Sequence, residues 1–204
     1  MLKITPKDVK RQANSAMVKE LLSDRYRTFF VDRLVVRESR ASETTDVECT
    51  LVVGGDSEHN ISGAGLGVLD ALFNAIVQHV VGDCSSLRNI SVESFQVQTD
   101  KEDLREFRKN ARSTAAAVET CLIIDNGFDT NSRLVPFRSK SRSVLAATVA
   151  VVTEAIEYFV NSEIAVLYLK ELIDDSKKRN RFDLTETYIS KLSDLMSNTS
   201  YEQI

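Results

Sequence analysis

The chain has 204 residues, 43% hydrophobic and 27% charged, with 26 Lys and Arg against 30 Asp and Glu for a net charge of −4. That size suits one large or two small globular domains with a substantial core, and a pI near 5.4 excludes any global attraction to nucleic acid or anionic membrane. Cys49, Cys84 and Cys121 are an odd number without metal-ligand spacing, the N-terminus lacks an apolar core of signal-peptide length, and no uninterrupted apolar run reaches the length of a membrane span. A soluble, cytoplasmic protein in a reducing compartment is expected, with no membrane contact, metal or cofactor.

The first element is a helix over about Pro6 to Leu22. Thr5 can cap it, Pro6 suits the first helical position, and Asp8 sits in the first turn near the positive dipole end. Val9, Ala13, Ala16, Met17 and Leu21 recur at helical spacing, which leaves Lys7, Lys10, Arg11 and Lys19 on a solvated face. From Phe29 the pattern turns to strands: Phe29 to Val36, Val47 to Val53, then a short third strand near Glu58 to Ser62 after the Gly54-Gly55-Asp56 turn. A helix follows, with Val68, Leu69, Leu72, Ala75, Ile76 and Val80 on one broad stripe and Gly82 at its end.

The same plan then recurs. Val92 to Val97 aligns with Val31 to Val36, Val118 to Ile124 echoes Val47 to Val53, Arg133 to Phe137 supplies a third strand, and Val144-Leu145-Ala146-Ala147 opens a helix as Val68-Leu69-Asp70-Ala71 does. The offsets rise through 61, 71 and 76 residues, so the second copy carries insertions, the largest being the charged segment Lys101 to Arg112. Three strands and a helix in the same order point to internal duplication. Beyond it, an apolar helical pattern runs from Ile164 to about Lys178, with Asn161-Ser162 either breaking the preceding helix or carried through it. A last helix from Leu184 to about Met196 is capped by Asp183, and the end from Ser197 to Ile204 is expected to fray. The fold expected is therefore α+β. It consists of two duplicated βββα units, each a three-stranded antiparallel sheet with a helix, flanked by N- and C-terminal helices. The division is 1–28 as an N-terminal helical segment, 29–161 as the duplicated domain (repeats about 29–82 and 88–161), and 162–204 as a C-terminal extension.

The stretch around Gly63, Gly65 and Gly67 concentrates three of only seven glycines. Glycine permits close approach to the main chain, and a helix start offers unpaired N–H groups and a positive dipole end. The segment reads as a seat for a small anion or an amino acid, or as a tight strand-to-helix turn with no ligand. In the second copy the three positions are Ser139, Ser141 and Ser143, with Lys140 and Arg142 between them, a basic, hydroxyl-rich helix start able to hold an anion or simply to cap the helix.

Gly63-Ala64-Gly65-Leu66-Gly67-Val68-Leu69-Asp70-Ala71-Leu72 is similar to the Gly-x-Gly-x-Gly-Pro-Val-Asp-Ala-Leu motif in the allosteric domain of 2-isopropylmalate synthase and citramalate synthase. Leu66 stands where that family often has a polar residue, Val68 where it has proline, and Ala146 where its second copy has an acidic residue. The resemblance covers about Phe29 to Asn161 and implies a duplicated βββα regulatory domain that homodimerises and binds leucine, isoleucine or a related carboxylate near the helix starts. It implies binding residues at Gly63, Ala64, Gly65, Leu66, Gly67, Val68, Asp70 and Ala71, and at Ser139, Ser141, Arg142 and Ser143. The family's catalytic barrel, with its histidine and aspartate metal ligands, has no counterpart: only His59 and His79 occur, with no His-x-His pair. No nucleophile-base-acid constellation emerges, so no catalytic residue is expected. The function expected is a stand-alone regulatory, ligand-binding and dimerisation module, acting on a synthase partner in trans or sensing by itself. The alternatives are a double-stranded RNA-binding-like module gripping phosphate through Arg138 to Arg142, which the acidic composition disfavours, and a structural subunit docking by its C-terminal helices.

Overall fold

A computed structural model describes residues 5–99, 117–127 and 134–199. The insertion Lys101 to Arg112 and the last residues of the tail, from 200, lie outside them. The element order is α1 (Pro6–Leu22), β1 (Phe29–Ser39), β2 (Thr44–Val53), β3 (Ser57–Gly65), α2 (Val68–Val80), β4 (Ser91–Thr99), β5 (Val118–Asp125), β6 (Leu134–Ser141), α3 (Val144–Lys178) and α4 (Phe182–Thr199). The strands form two antiparallel sheets, β1-β2-β3 and β4-β5-β6, each followed by a helix. The protein is thus α+β with duplicated βββα units between flanking helices.

The duplication extends to irregularities. β1 bulges at Asp32 where it pairs with β2, and β4 bulges at Glu93, 61 positions later, where it pairs with β5. Val47 pairs with Gly63, while Ser139, 76 positions after Gly63, pairs with Thr120 and not Val118. The structural offset of the middle strands is therefore 73, correcting the 71 read from sequence. A slip of two residues keeps every side chain on its own face, so alternation of apolar and polar residues cannot detect it.

One apolar core joins both copies. Leu51, Leu72 and Ile76 from the first share it with Leu122, Phe137, Ile156 and Phe159 from the second. Phe137, Tyr158 and Phe159 pack edge-on or tilted, with ring centroids 5.3–6.0 Å apart. A second cluster holds Val18 and Leu22 of α1 against Ala165, Val166 and Leu169 of α3 and Leu195 of α4. Helix α3 serves both. It runs unbroken for 35 residues, carrying Asn161 and Ser162 through the expected domain boundary. Its most apolar 18 residues reach a mean hydropathy of 1.5, so by length and composition the helix could cross a membrane, although Glu154, Glu157 and Glu163 interrupt its apolar runs. Packing explains the apolarity, since 56% of that window is buried within the protein.

Helix α1 has the expected bounds and a reciprocal cap. Thr5 Oγ1 accepts from the Asp8 N–H at 3.3 Å, and Asp8 Oδ2 accepts from the Thr5 N–H at 2.7 Å. Its buried face differs from the periodic reading, however. Asp8, Arg11, Asn14, Val18 and Leu22 face inward, whereas Val9 is 58% exposed. Charge pairing decides this: Arg11 Nη1 lies 2.6 Å from Glu154 of α3, and its guanidinium stacks over Phe137 at 4.8 Å. Arg11 belongs to the interior, not to a solvated face. At the other end, α4 starts at Phe182, before Asp183, whose carboxylate pairs with Arg181 at 2.9 Å.

The polar side chains of α3 hold the rest of the chain to it. Asn161, 1% exposed, accepts from the Arg27 N–H through Oδ1 at 2.8 Å and donates through Nδ2 to the Arg27 and Glu157 carbonyls, also at 2.8 Å. Glu157 accepts from the Tyr26 hydroxyl at 2.8 Å and the Phe29 N–H at 3.0 Å, fixing the approach to β1. Asn161→Ala is expected to lower stability by about 2–4 kcal/mol, because main-chain groups of Arg27 lose partners at a buried junction. Urea denaturation monitored by circular dichroism measures it, and an unchanged midpoint would mean that water replaces the amide without cost.

Candidate functional site

The glycines are placed differently from the reading above. Gly63, Ala64 and Gly65 lie inside β3, paired with Val47, Asp46 and Thr45, so only Leu66 and Gly67 form the turn before α2. A Cβ at Gly63 would stand 2.5 Å from the Ala71 carbonyl oxygen and 2.8 Å from Ala75 Cβ; at Gly65 it would stand 2.6 Å from the Ala71 nitrogen and from Asp70 Oδ2. These two glycines let the helix backbone lie directly on the strand. Gly67 is the helix cap in extended conformation, with open space where a Cβ would point. Its carbonyl accepts from the Ala71 N–H at 2.9 Å.

Asp70 alters the electrostatics of that helix start. Its Oδ2 accepts from the Leu66 N–H at 3.1 Å, so the chain's own carboxylate sits where an external anion was expected. The Ala64 carbonyl is taken by Asn74 Nδ2 at 3.1 Å. Leu66 itself is 85% exposed. Gly63, Gly65, Asp70 and Ala71 thus meet as a packed joint, with Leu66, Gly67 and Val68 at its rim.

The second copy has the same two-residue turn, Arg142 and Ser143 between β6 and α3, with other chemistry. Ser143 caps α3 by accepting from the Ala146 N–H at 3.2 Å and donates its own N–H to Ser141 Oγ at 3.3 Å. Ser139 lies deeper: its carbonyl and that of Ala147 both accept from the Thr120 hydroxyl at 3.3 Å, so threonine bridges strand and helix where glycine joins them in the first copy. Position 146 is alanine, so no carboxylate corresponds to Asp70. Arg142, Ser143, Val144, Leu145 and Ala146 are all exposed, whereas Gly67 to Asp70 are half-buried. Of the two helix starts, the second is the accessible one.

Arg138 is committed elsewhere. Its Nε lies 3.0 Å from Asp8 Oδ1, with Asp8 only 3% exposed. Burial pushes the Asp8 carboxyl up, but the hydrogen bonds from Thr5 and the Arg138 guanidinium outweigh it and hold the group below the ordinary 3.8. A depressed carboxylate pKa stabilises the fold above the unfolded value and loses that contribution as pH falls through the folded one. Stability is therefore expected to decline from about pH 4 downward, and Asp8→Asn should destabilise the protein at neutral pH while flattening that acid limb. Urea midpoints at pH 7, 4 and 3 test it, and parallel pH profiles for parent and variant would refute the assignment.

Sequence reasoning missed one heavily bonded carboxylate. Glu163, 4% exposed in α3, accepts from the Ser85 N–H and Oγ at 3.1 and 3.2 Å, and from the Ser86 N–H and Oγ at 3.1 and 2.5 Å. The available signal was Asn161-Ser162-Glu163, three polar residues in succession within an apolar helix. All three cysteines are buried, and burial raises each thiol, that of Cys84 to about 12 with further repulsion from Glu163. They are therefore protonated at neutral pH, a poor state for nucleophiles. No family model matches the chain, and no curated protein matches it.

Proposed function

We propose that the chain is a non-catalytic regulatory module, of the kind represented by the allosteric domain of 2-isopropylmalate synthase, which homodimerises and binds a small carboxylate such as a branched-chain amino acid. The duplicated βββα plan supports this reading, as does the in-register motif from Gly63 to Ala71. The observation that carries the ligand is the difference between the two helix starts. Asp70 occupies the first with a carboxylate, whereas the second presents Ser141, Arg142 and Ser143 at an exposed helix N-terminus without an acidic residue. The ligand carboxylate is assigned to the second, with the arginine supplying charge and the serine hydroxyls donors. Differential affinity for two arrangements of the dimer would transmit the signal, to a synthase partner or within the assembly itself.

Thermal shift against leucine, isoleucine and 2-oxo acids tests the proposal. Ligand at 100 times its dissociation constant should add about 2.7 kcal/mol, an effect Arg142→Ala should remove and Asp70→Asn should leave in place. No stabilisation at millimolar ligand would sink amino-acid sensing, and light scattering that finds a monomer would sink dimerisation. The RNA-binding reading is weaker, because Arg138 is engaged by Asp8.

A further inference from the structure

The chain's two histidines meet in space. His59 of β3 and His79 in the last turn of α2 have ring centroids 4.5 Å apart and planes inclined at 50°. They line one cleft of about 250 Å³ with Arg27, Phe29, Val53, Val80 and Asp83. The Ser57 hydroxyl lies 2.8 Å from His59 Nε2. With this hydroxyl as acceptor, the imidazole carries its proton on Nε2 and presents Nδ1 as a bare lone pair. Metal-binding histidines are commonly oriented in this way, by a hydrogen bond on the nitrogen that does not ligate.

We propose that His59 and His79 form a two-imidazole chelate for a borderline divalent transition-metal ion of the zinc class. Imidazole nitrogen suits zinc, nickel and copper, whereas magnesium and calcium favour oxygen cages. His79 is exposed on one side and stands beside His59 in the same cleft, so an ion can reach both rings from solvent. Among the described residues no group of three or more His, Cys, Asp or Glu is placed to hold a metal ion together. Two imidazoles and water therefore make up the inner shell. Asp83, four residues beyond His79, lines the same cleft and would add negative charge beside a bound ion, while its pairing with Arg27 at 3.2 Å partly neutralises that arginine. A bound ion would tie the start of β3 to the end of α2, beside the buried Val80 and Phe29.

Zinc titration of the full chain, followed by calorimetry and by NMR of the histidine rings, decides the matter. One ion per chain is expected, moving both histidine signals together at pH 7.5. His59→Gln and His79→Gln should each weaken binding by about tenfold or more, as should a drop to pH 5.5, since protonated imidazole cannot ligate. Both side chains are partly exposed, and circular dichroism confirms that the variants fold. Undiminished zinc binding in the double variant, histidine signals that stay fixed at millimolar zinc, or an equal response to magnesium would each overturn the proposal.

Discussion

Gly63→Ala and Gly65→Ala are each expected to destabilise the protein by about 2–3 kcal/mol, while Gly67→Ala changes stability by less than about 1 kcal/mol. Three glycines at alternate positions have two different physical roles. At Gly63 a methyl would stand 2.5 Å from a main-chain oxygen of α2, and at Gly65 it would stand 2.6 Å from a main-chain nitrogen. Neither atom is the end of a flexible side chain, so the whole helix must move. That helix carries Ala71, Leu72 and Ile76, all fully buried, and its displacement disturbs the core shared by both copies. The ordinary preference of a strand for alanine over glycine, about 0.5–1 kcal/mol, offsets only part of this. Gly67 points into open space, and its φ of −167° is available to any residue. Chemical denaturation of the three variants separates the roles. Equal, small losses at all three positions would show that α2 does not depend on contact with β3. A ligand-cradling role would instead leave stability intact and remove only a ligand-induced shift.

Removing the Glu163 carboxylate should cost a comparable or larger amount, about 3–5 kcal/mol for Glu163→Ala. Four donors from Ser85 and Ser86 converge on its two oxygens. Truncation removes this acceptor from the buried Ser86 hydroxyl and N–H, 8% exposed, and from those of the more exposed Ser85. The short turn Ser85–Arg88, which leads the chain from the first copy into the second, then loses its anchor on α3. Glu163→Gln should cost less, about 1–2 kcal/mol, because the amide keeps one acceptor but turns a donor toward donors. A double-mutant cycle with Ser86→Ala identifies the source. If the carboxylate acts through the serine, the cost of Glu163→Ala falls in the Ser86→Ala background. Strict additivity would place the effect elsewhere in α3.

These expectations mark how far the amino-acid order could be read. The start of helix α1 was legible to the residue, because Thr5, Pro6 and Asp8 encode its cap locally. Which of its faces points inward was not. Apolar periodicity chose Val9, Ala13 and Ala16, while the structure buries Asp8, Arg11 and Asn14, since the partners of Asp8 (Arg138) and Arg11 (Glu154 and Phe137) lie more than a hundred residues away. The candidate site divides in the same way. That Gly63 to Ala71 forms a strand-to-helix junction could be read from composition, but the ends of β3 could not. A glycine in a strand and a glycine in a loop look alike until the helix packed above them is known.

The sequence by itself determined the α+β class, the twofold repetition of three strands and a helix, and the polarity pattern of each element, because these rest on local spacing and propensity. The tertiary structure alone decided the middle-strand register, the continuity of α3 through Asn161, and the burial of Glu163. It also decided the use of Gly63 and Gly65 as a packing joint and the meeting of His59 with His79. Each of these depends on which distant group fills the space beside a residue, and alternation and helical period carry no information about that.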